Sequence, residues 1–199
     1  WGDAFNIDPA GLLTVNQVHK DRVLVVKKEI PESHRTQKLN YDAMITDQKG
    51  VFVGVLTADC LPIILLDPRK KVVGIVHAGW QGTSLKIASK GVKKIISTFG
   101  SSPRDLLVGL GPAIGSCCYE IDRKTVDPFK ASYSNWERFI KSVGNQRWTL
   151  DLNLLNLEQL IEAGIPEKNI YRADICTSCN DKLFFSHRRD KGRTGRQLS

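Results

Sequence analysis

The sequence predicts an α/β or α+β fold in which mixed β-sheets are layered with helices. Two patterns predict it. Short runs rich in Val, Ile and Leu are typical of buried strands, and later segments carry apolar residues every three or four positions, as on one helix face. With 199 residues the chain is long enough for one full hydrophobic core, so we expect a single domain over residues 1–199.

The strands predicted for the first half of the chain share a β-branched or apolar run. They cover residues 22–27, 43–46, 51–56, 63–66 and 72–76. Asp67 and Pro68 supply turn chemistry between the last two, and the polar residues 33–40 predict a loop. The most apolar stretch, 51–66, is interrupted by Asp59 and Pro62, which favours buried strands over a membrane span.

The predicted helices follow these strands in the sequence. Residues 83–99 place Leu85, Ala88, Val92, Ile95 and Phe99 on one face, and Gly100 can end the helix. A second helix is predicted over residues 152–163, where Gly164 and Pro166 act as a stop signal. Further strands are predicted at residues 106–110, 170–175 and 183–186.

Charge and cysteine content limit the classes of function. The net charge of +8 favours anionic partners, although lysines spread along the whole chain equally fit plain solubility. Few aromatic residues accompany the basic tail, which argues against a nucleic-acid-binding surface. Five cysteines, two adjacent and two in a C-x-x-C, do not form a secreted disulfide framework, so we expect a reducing cytoplasm.

Three residues could form a metal site. Cys60 follows one predicted strand, His77 ends another, and open sheets gather ligand sites at the carboxyl edge of their strands. Together with His19 they offer two imidazoles and one thiolate, which suit zinc and leave a fourth position open. Hydrogen-bonded core histidines with a buried apolar thiol would explain the same residues, as would a Cys60–His77 nucleophile pair. Asp59 could act as a general acid or base, or orient a ligand.

The remaining cysteines and the basic tail carry weaker signals. Cys176 and Cys179 are half of a structural zinc site. The adjacent cysteines at positions 117 and 118 could complete it in space, but we expect ordinary thiols. The tail contains Arg188, Arg189 and Arg196, and guanidinium groups bind phosphate with two parallel hydrogen bonds. The tail is therefore a candidate anion site.

Six segments together resemble the YfiH family, also called the multicopper polyphenol oxidoreductase or laccase-domain family. In the family's order they are residues 16–19 (NQVH), 42–46 (DAMIT), 57–62 (TADCLP), 77–83 (HAGWQGT), 111–120 (GPAIGSCCYE) and 184–196 (FFSHRRDKGRTGR). They run over nearly the whole chain and favour the metal interpretation. Gln81 stands where the family has Arg, and Lys20 and His187 stand where it commonly has Gly and Tyr. The family's amino-terminal segment, with its GGVS-type start, is missing from this sequence.

The resemblance implies a YfiH-like fold and a zinc-dependent enzyme of purine nucleosides. Described family activities are phosphorolysis of adenosine, inosine, guanosine and methylthioadenosine, and deamination of adenosine. The implied partners are therefore a nucleoside and phosphate, not a membrane or a nucleic acid. The older family name implies a copper-dependent phenol oxidase, but several coppers need more than the four histidines present.

The resemblance also assigns roles to individual residues. His19, Cys60 and His77 would be metal ligands, and Asp59 and Cys60 would be catalytic. The substrate or phosphate contacts would be Gln17, Gln81, Arg188, Arg189 and Arg196.

Overall fold

A six-stranded mixed sheet forms the centre of the protein in the computed structural model, which describes residues 11–27 and 39–199. In spatial order its strands are β12 (Ile170–Arg172), β8 (Leu107–Leu110), β6 (Leu61–Asp67), β7 (Val72–Ala78), β3 (Ala43–Thr46) and β2 (Val23–Val25). The four inner strands pair antiparallel, whereas β2 with β3 and β12 with β8 pair parallel. The prediction of a mixed sheet is thus confirmed.

Smaller sheets surround the central one. β1 (Leu12–Leu13) pairs with β4 (Phe52–Val53), and β5 (Leu56–Thr57) pairs with β13 (Gln197–Leu198). The third small sheet contains β9 (Glu120–Ile121), β10 (Ile140–Gly144) and β11 (Arg147–Leu150).

Four α-helices complete the described part of the chain. They are α1 (Trp80–Ser84), α2 (Ile87–Phe99), α3 (Arg123–Ser132) and α4 (Leu152–Glu162). Short 3-10 turns occur at Pro103–Asp105, Trp136–Arg138 and Glu167–Asn169. No helix among the described residues has the length and apolar character needed to span a bilayer.

The central sheet has a hydrophobic cluster on each face. Ala43, Ile45 and Val76 belong to the larger cluster, which contains the buried face of α2, while Met44 and Ile75 belong to the smaller one. Both faces of β3 are therefore buried, which explains its unbroken apolar sequence. The next strands are covered less completely, because Ile64 of β6 and Val73 of β7 are exposed.

Three predicted elements differ from the structure. The helix predicted over 83–99 is two helices, because Lys86 has a left-handed backbone (φ 63°) that breaks the chain between α1 and α2. The strand predicted over 51–56 is divided into β4 and β5, because its two halves pair with different strands. Residues 183–186 are the end of a turn followed by irregular chain instead of a strand, since the N–H groups of Leu183 and Phe184 both donate to the Asn180 carbonyl. The loop predicted for 33–40 lies mostly outside the described residues.

Candidate metal site

The pairing of β6 with β7 brings Cys60 and His77 together. Pro62 pairs with His77 and Leu61 with Ala78, so the start of β6 and the end of β7 lie at one sheet edge. Cys60 follows a strand, β5, as predicted, but in the central sheet it lies at the amino end of β6. The two meet because the strands are antiparallel neighbours. His19 joins them from the segment before β2, with a left-handed backbone (φ 57°).

The side chains of these three residues converge. Their candidate ligand atoms all lie within 4.8 Å of one another, and Nε2 of His19 is 3.8 Å from Sγ of Cys60. A four-coordinate zinc ion with ordinary bond lengths separates its nitrogen and sulfur ligands by ~3.6 Å. The donor set and its spacing therefore fit zinc. All three residues also line one cavity, which leaves space for a fourth ligand.

Asp42, at the start of β3, orients two of the three ligands. Its Oδ1 lies 2.8 Å from Nδ1 of His77, and its carboxylate accepts the backbone N–H groups of His19 (2.9 Å) and Lys20 (2.8 Å). Because Nδ1 of His77 is used in this way, Nε2 is left to bind a metal. Our sequence analysis missed Asp42; the available signal was an acidic residue directly before the apolar run of β3.

The charges of the site favour the ligand form of Cys60. Burial alone would raise the pKa of Cys60, but hydrogen bonds with His19 and His77 lower it to about 6. Burial alone would lower the pKa of His77, but hydrogen bonds with Asp42 and Cys60 raise it to about 9. Burial also opposes ionisation of Asp42, yet the His77 hydrogen bond and the backbone N–H of Lys20 lower its pKa below the usual value. A thiolate is the form that binds metal.

Gly79 allows the close approach of the ligands. A Cβ at this position would lie 2.9 Å from Cδ2 of His19 and 3.0 Å from Sγ of Cys60. Its backbone conformation is ordinary, with φ at −77°. Space, and not backbone strain, therefore demands glycine here.

Asp59 lies beside the ligands with a fixed carboxylate. It is nearly buried and has a positive φ of 84°, which is unfavourable for a residue with a side chain. Its Oδ1 accepts the hydroxyl of Thr177 (2.7 Å), and its Oδ2 accepts the backbone N–H of Arg188 (2.7 Å). The strained backbone is thus held by contacts from the carboxy-terminal segment.

The cavity beside the metal ligands has a volume of about 810 Å³, within the range of small-molecule sites. Asp59, Gln17, Arg188 and Arg196 line it together with the three ligands. The Gln17 amide makes two 2.8 Å hydrogen bonds with the backbone of Leu56, so its polar atoms are already engaged.

Two of the predicted contact residues lie elsewhere. Gln81 belongs to helix α1 and is not among the residues that line this cavity. Arg189 is also outside the lining, and its guanidinium binds Asp190 and the carbonyls of Thr177 and Phe184.

The other four cysteines form a second group, which we call the four-thiol cluster: Cys117, Cys118, Cys176 and Cys179. Their sulfur atoms all lie within 4.8 Å of one another. Spacing alone predicted ordinary thiols, and the fold adds that two loops distant in sequence bring these four together. The described residues contain these two groups that could hold a metal ion.

Comparisons with known proteins bear on the family and the fold of the chain. The family model described as multi-copper polyphenol oxidoreductase laccase matches residues 1–199. Purine nucleoside phosphorylase YlmD of Geobacillus stearothermophilus is 40% identical over 79% of this chain and 58% of its own length. Adenosine deaminase RL5 of an unknown prokaryotic organism is 32% identical over 94% of this chain and 74% of its own length. The crystal structure of the Bacillus licheniformis protein YfiH superimposes with a TM-score of 0.94 at 36% identity, covering 99% of this chain and 76% of that one.

Proposed function

Because the chain belongs to the multi-copper polyphenol oxidoreductase laccase family, we propose that it is a zinc-dependent purine nucleoside phosphorylase that also deaminates adenosine. The membership confirms the resemblance carried by the six sequence motifs, and the superposition confirms the YfiH-like fold. Relatives named as a purine nucleoside phosphorylase and an adenosine deaminase support an enzyme of this kind. The proposed substrates are adenosine, inosine, guanosine and methylthioadenosine, with phosphate as the second substrate.

One observation carries the proposal: His19, Cys60 and His77 converge at the wall of a cavity that is large enough for a nucleoside. Three protein ligands with space for a fourth are typical of catalytic zinc, whereas structural zinc is closed by four. A bound zinc ion would supply Lewis-acid chemistry at this wall.

Asp59 is the proposed proton-transfer group. In deamination, its carboxylate would take a proton from the attacking water and pass it to the amine, which leaves the purine as ammonia. The hydroxyl of Thr177 and the N–H of Arg188 hold the two carboxylate oxygens, so the group meets the substrate in one orientation.

Arg188 and Arg196 are the proposed phosphate contacts. In phosphorolysis, a phosphate oxygen would attack the anomeric carbon of the ribose as the bond from that carbon to the purine nitrogen breaks. Both arginines line the cavity, and one guanidinium nitrogen of Arg188 donates to the Glu120 carbonyl (2.6 Å). The remaining N–H groups of Arg188 would bind the anion. Trp80 and Tyr119 line the same cavity and offer aromatic surface to a purine.

A cysteine hydrolase is the second candidate function. It is favoured by the lowered pKa of Cys60, about 6, and the raised pKa of His77, about 9, which together describe a thiolate–imidazolium pair of the kind that activates cysteine nucleophiles. Chelation distinguishes the two, because a cysteine hydrolase keeps its activity without metal. A copper phenol oxidase is less well supported, because the group of His19, Cys60 and His77 contains two imidazoles. Of the other two histidines, His187 lines the cavity without joining this group, and His34 lies outside the described residues.

The location proposed for the enzyme is the cytoplasm. All five cysteines are free thiols, and a reducing compartment preserves that state.

The test combines elemental analysis with activity assays. We expect zinc in the purified protein, and turnover of adenosine and inosine with phosphate that chelation abolishes. Cys60→Ala should lose the zinc of this site and both activities. Asp59→Asn should keep the zinc but lower kcat by ~10²–10⁴-fold, as expected for loss of a general acid–base group.

Asp67→Asn is the matched control, because Asp67 is also buried but binds the N–H groups of Arg69 and Lys70 away from the cavity. Full activity of zinc-loaded Cys60→Ala protein would contradict the ligand assignment. Activity that survives chelation but not thiol alkylation would favour the hydrolase.

A further inference from the structure

The four-thiol cluster brings together sulfur atoms from two distant loops. Sγ of Cys179 lies 3.4 Å from Sγ of Cys118 and 3.7 Å from Sγ of Cys117. Cys118 and Cys179 are 61 residues apart in the sequence. The cluster therefore depends on the fold.

Backbone pairing places the two loops side by side. Ala113 forms a parallel bridge with Cys176: its N–H donates to the Ile175 carbonyl (3.2 Å), and its carbonyl accepts the N–H of Thr177 (3.0 Å). After the bridge, each of the two segments makes a tight turn. In the first turn, the N–H groups of Cys118 and Tyr119 both donate to the Gly115 carbonyl. In a strand, the adjacent side chains of Cys117 and Cys118 would point to opposite faces. The turn instead places both of their sulfur atoms near Sγ of Cys179.

The surroundings of Cys176 suit sulfur in its anionic form. The N–H of Gly115 points at Sγ of Cys176 over 3.2 Å, and backbone N–H groups stabilise thiolates. The guanidinium of Arg188 donates to the Cys118 carbonyl (3.4 Å), which brings a positive charge beside the cluster. A Cβ on Gly115 would lie 3.2 Å from Sγ of Cys117, so glycine makes room for the sulfurs as Gly79 does at the first site.

From this geometry we propose that Cys117, Cys118, Cys176 and Cys179 form a second metal site, a tetrathiolate centre that binds one zinc ion. Four sulfurs around zinc at ordinary bond lengths lie ~3.8 Å apart, and the separations of 3.4 Å and 3.7 Å from Cys179 to Cys118 and Cys117 are close to that spacing. A disulfide needs sulfurs ~2.05 Å apart and uses two cysteines, whereas here one sulfur is near two others. Each protonated thiol releases its proton as zinc binds, which leaves a centre with a net charge of −2.

The second site is structural. Four protein ligands leave no position for substrate, and none of the four cysteines lines the cavity beside the first site. The bound ion would link the turn at 115–119 to the turn at 176–179. Thr177, between two ligands of the second turn, donates its hydroxyl to Asp59. Zinc at the four-thiol cluster would therefore act as a positioning element for Asp59.

Metal stoichiometry tests the proposal. The protein is purified under reducing conditions, loaded with zinc and dialysed. We expect two zinc ions per chain in the wild type, one in Cys60→Ala, one in the double variant Cys176→Ser/Cys179→Ser, and none when all three changes are combined. The matched control is Ser116→Ala/Ser178→Ala, which alters the same two turns without removing a sulfur and should keep two ions.

X-ray absorption at the zinc edge tests for the tetrathiolate centre directly, so the result does not depend on whether the Cys176→Ser/Cys179→Ser variant folds. With both sites filled, the wild type should show a shell dominated by sulfur at ~2.3 Å, and Cys60→Ala should show sulfur alone. Absence of zinc from fully reduced Cys60→Ala protein would overturn the proposal. So would an unchanged zinc content in Cys176→Ser/Cys179→Ser, or disulfides among these cysteines in protein isolated with its metal. Because Cys60→Ala separates the sites, failure of the proposed enzyme function would leave this result readable.

Discussion

The group of His19, Cys60 and His77 and the four-thiol cluster use similar ligands in opposite ways. The first group lies at an edge of the central sheet, where β6, β7 and the segment before β2 converge, and it opens on a cavity of about 810 Å³. The second lies between two turns, with Cys117 and Cys179 exposed, and it contributes nothing to the lining of that cavity.

The two groups also differ in what orients their ligands. At the first, a buried carboxylate, Asp42, fixes the ring of His77 and the backbone of His19. At the second, backbone N–H groups and a parallel bridge place the sulfurs. Side-chain support beside an open cavity suits a site that must bind substrate, and backbone support suits one that only has to hold loops together.

The largest effect that separates the two groups is expected from Asp42→Asn. The amide keeps the size of the carboxylate but loses its charge and replaces one acceptor with a donor, so it cannot keep the contacts to His77, His19 and Lys20 together. Loss of an outer-shell partner typically weakens metal binding by ~10–100-fold. Zinc affinity measured by competition with a chelator should fall by that factor at the first site only.

Asp67→Asn is again the control for loss of a buried charge, and it should leave both affinities unchanged. An equal loss of zinc from the four-thiol cluster in Asp42→Asn would mean that the substitution disturbs the fold as a whole.

Gly79→Ala is expected to have a smaller effect at the same site. The new methyl group would overlap Cδ2 of His19 and Sγ of Cys60, and overpacking of this kind costs ~1–2 kcal/mol. That energy corresponds to a ~5–30-fold weaker affinity for zinc. Gly109→Ala is the matched control, because its Cβ would meet only Cβ of Ile64 at an ordinary 3.8 Å. Equal zinc affinities of the two variants would argue against crowding at Gly79.

The sequence predicted the parts of the fold with strong apolar patterns and missed those without them. β3, β6, β7 and the main length of α2 follow from their apolar runs or helical spacing. Helix α3 was missed because its sequence contains Pro128, which is unfavourable inside a helix, and because only Val126 and Phe129 are buried, so it has little apolar pattern. The hairpin of β10 and β11 was missed because most of β10 is exposed and no apolar alternation marks it.

The same distinction holds for the candidate sites. His19, Cys60 and His77 were named from residue chemistry and the family motifs, and the structure brings them together. The role of Asp42 and the meeting of the four cysteines depend on contacts between distant segments, which spacing does not encode. Apolar sequence also misled at Phe184 and Phe185, where the backbone turns and the Phe185 ring lies against Gly195.

The smallest effect expected at the first group, a severalfold change in kcat, comes from the contact between the two regions, the hydrogen bond from Thr177 to Asp59. Thr177→Val keeps the shape of the fully buried side chain but removes the hydroxyl, which leaves Oδ1 of Asp59 without this donor. Hydrogen bonds to charged groups contribute ~1.5–3 kcal/mol, so the free energy of unfolding in urea should fall by about that amount. If the four-thiol cluster positions Asp59, kcat should also fall severalfold while zinc content stays the same. Thr177→Ser retains the hydroxyl and should restore kcat, and identical kcat values for the Val and Ser variants would show that the two regions work independently.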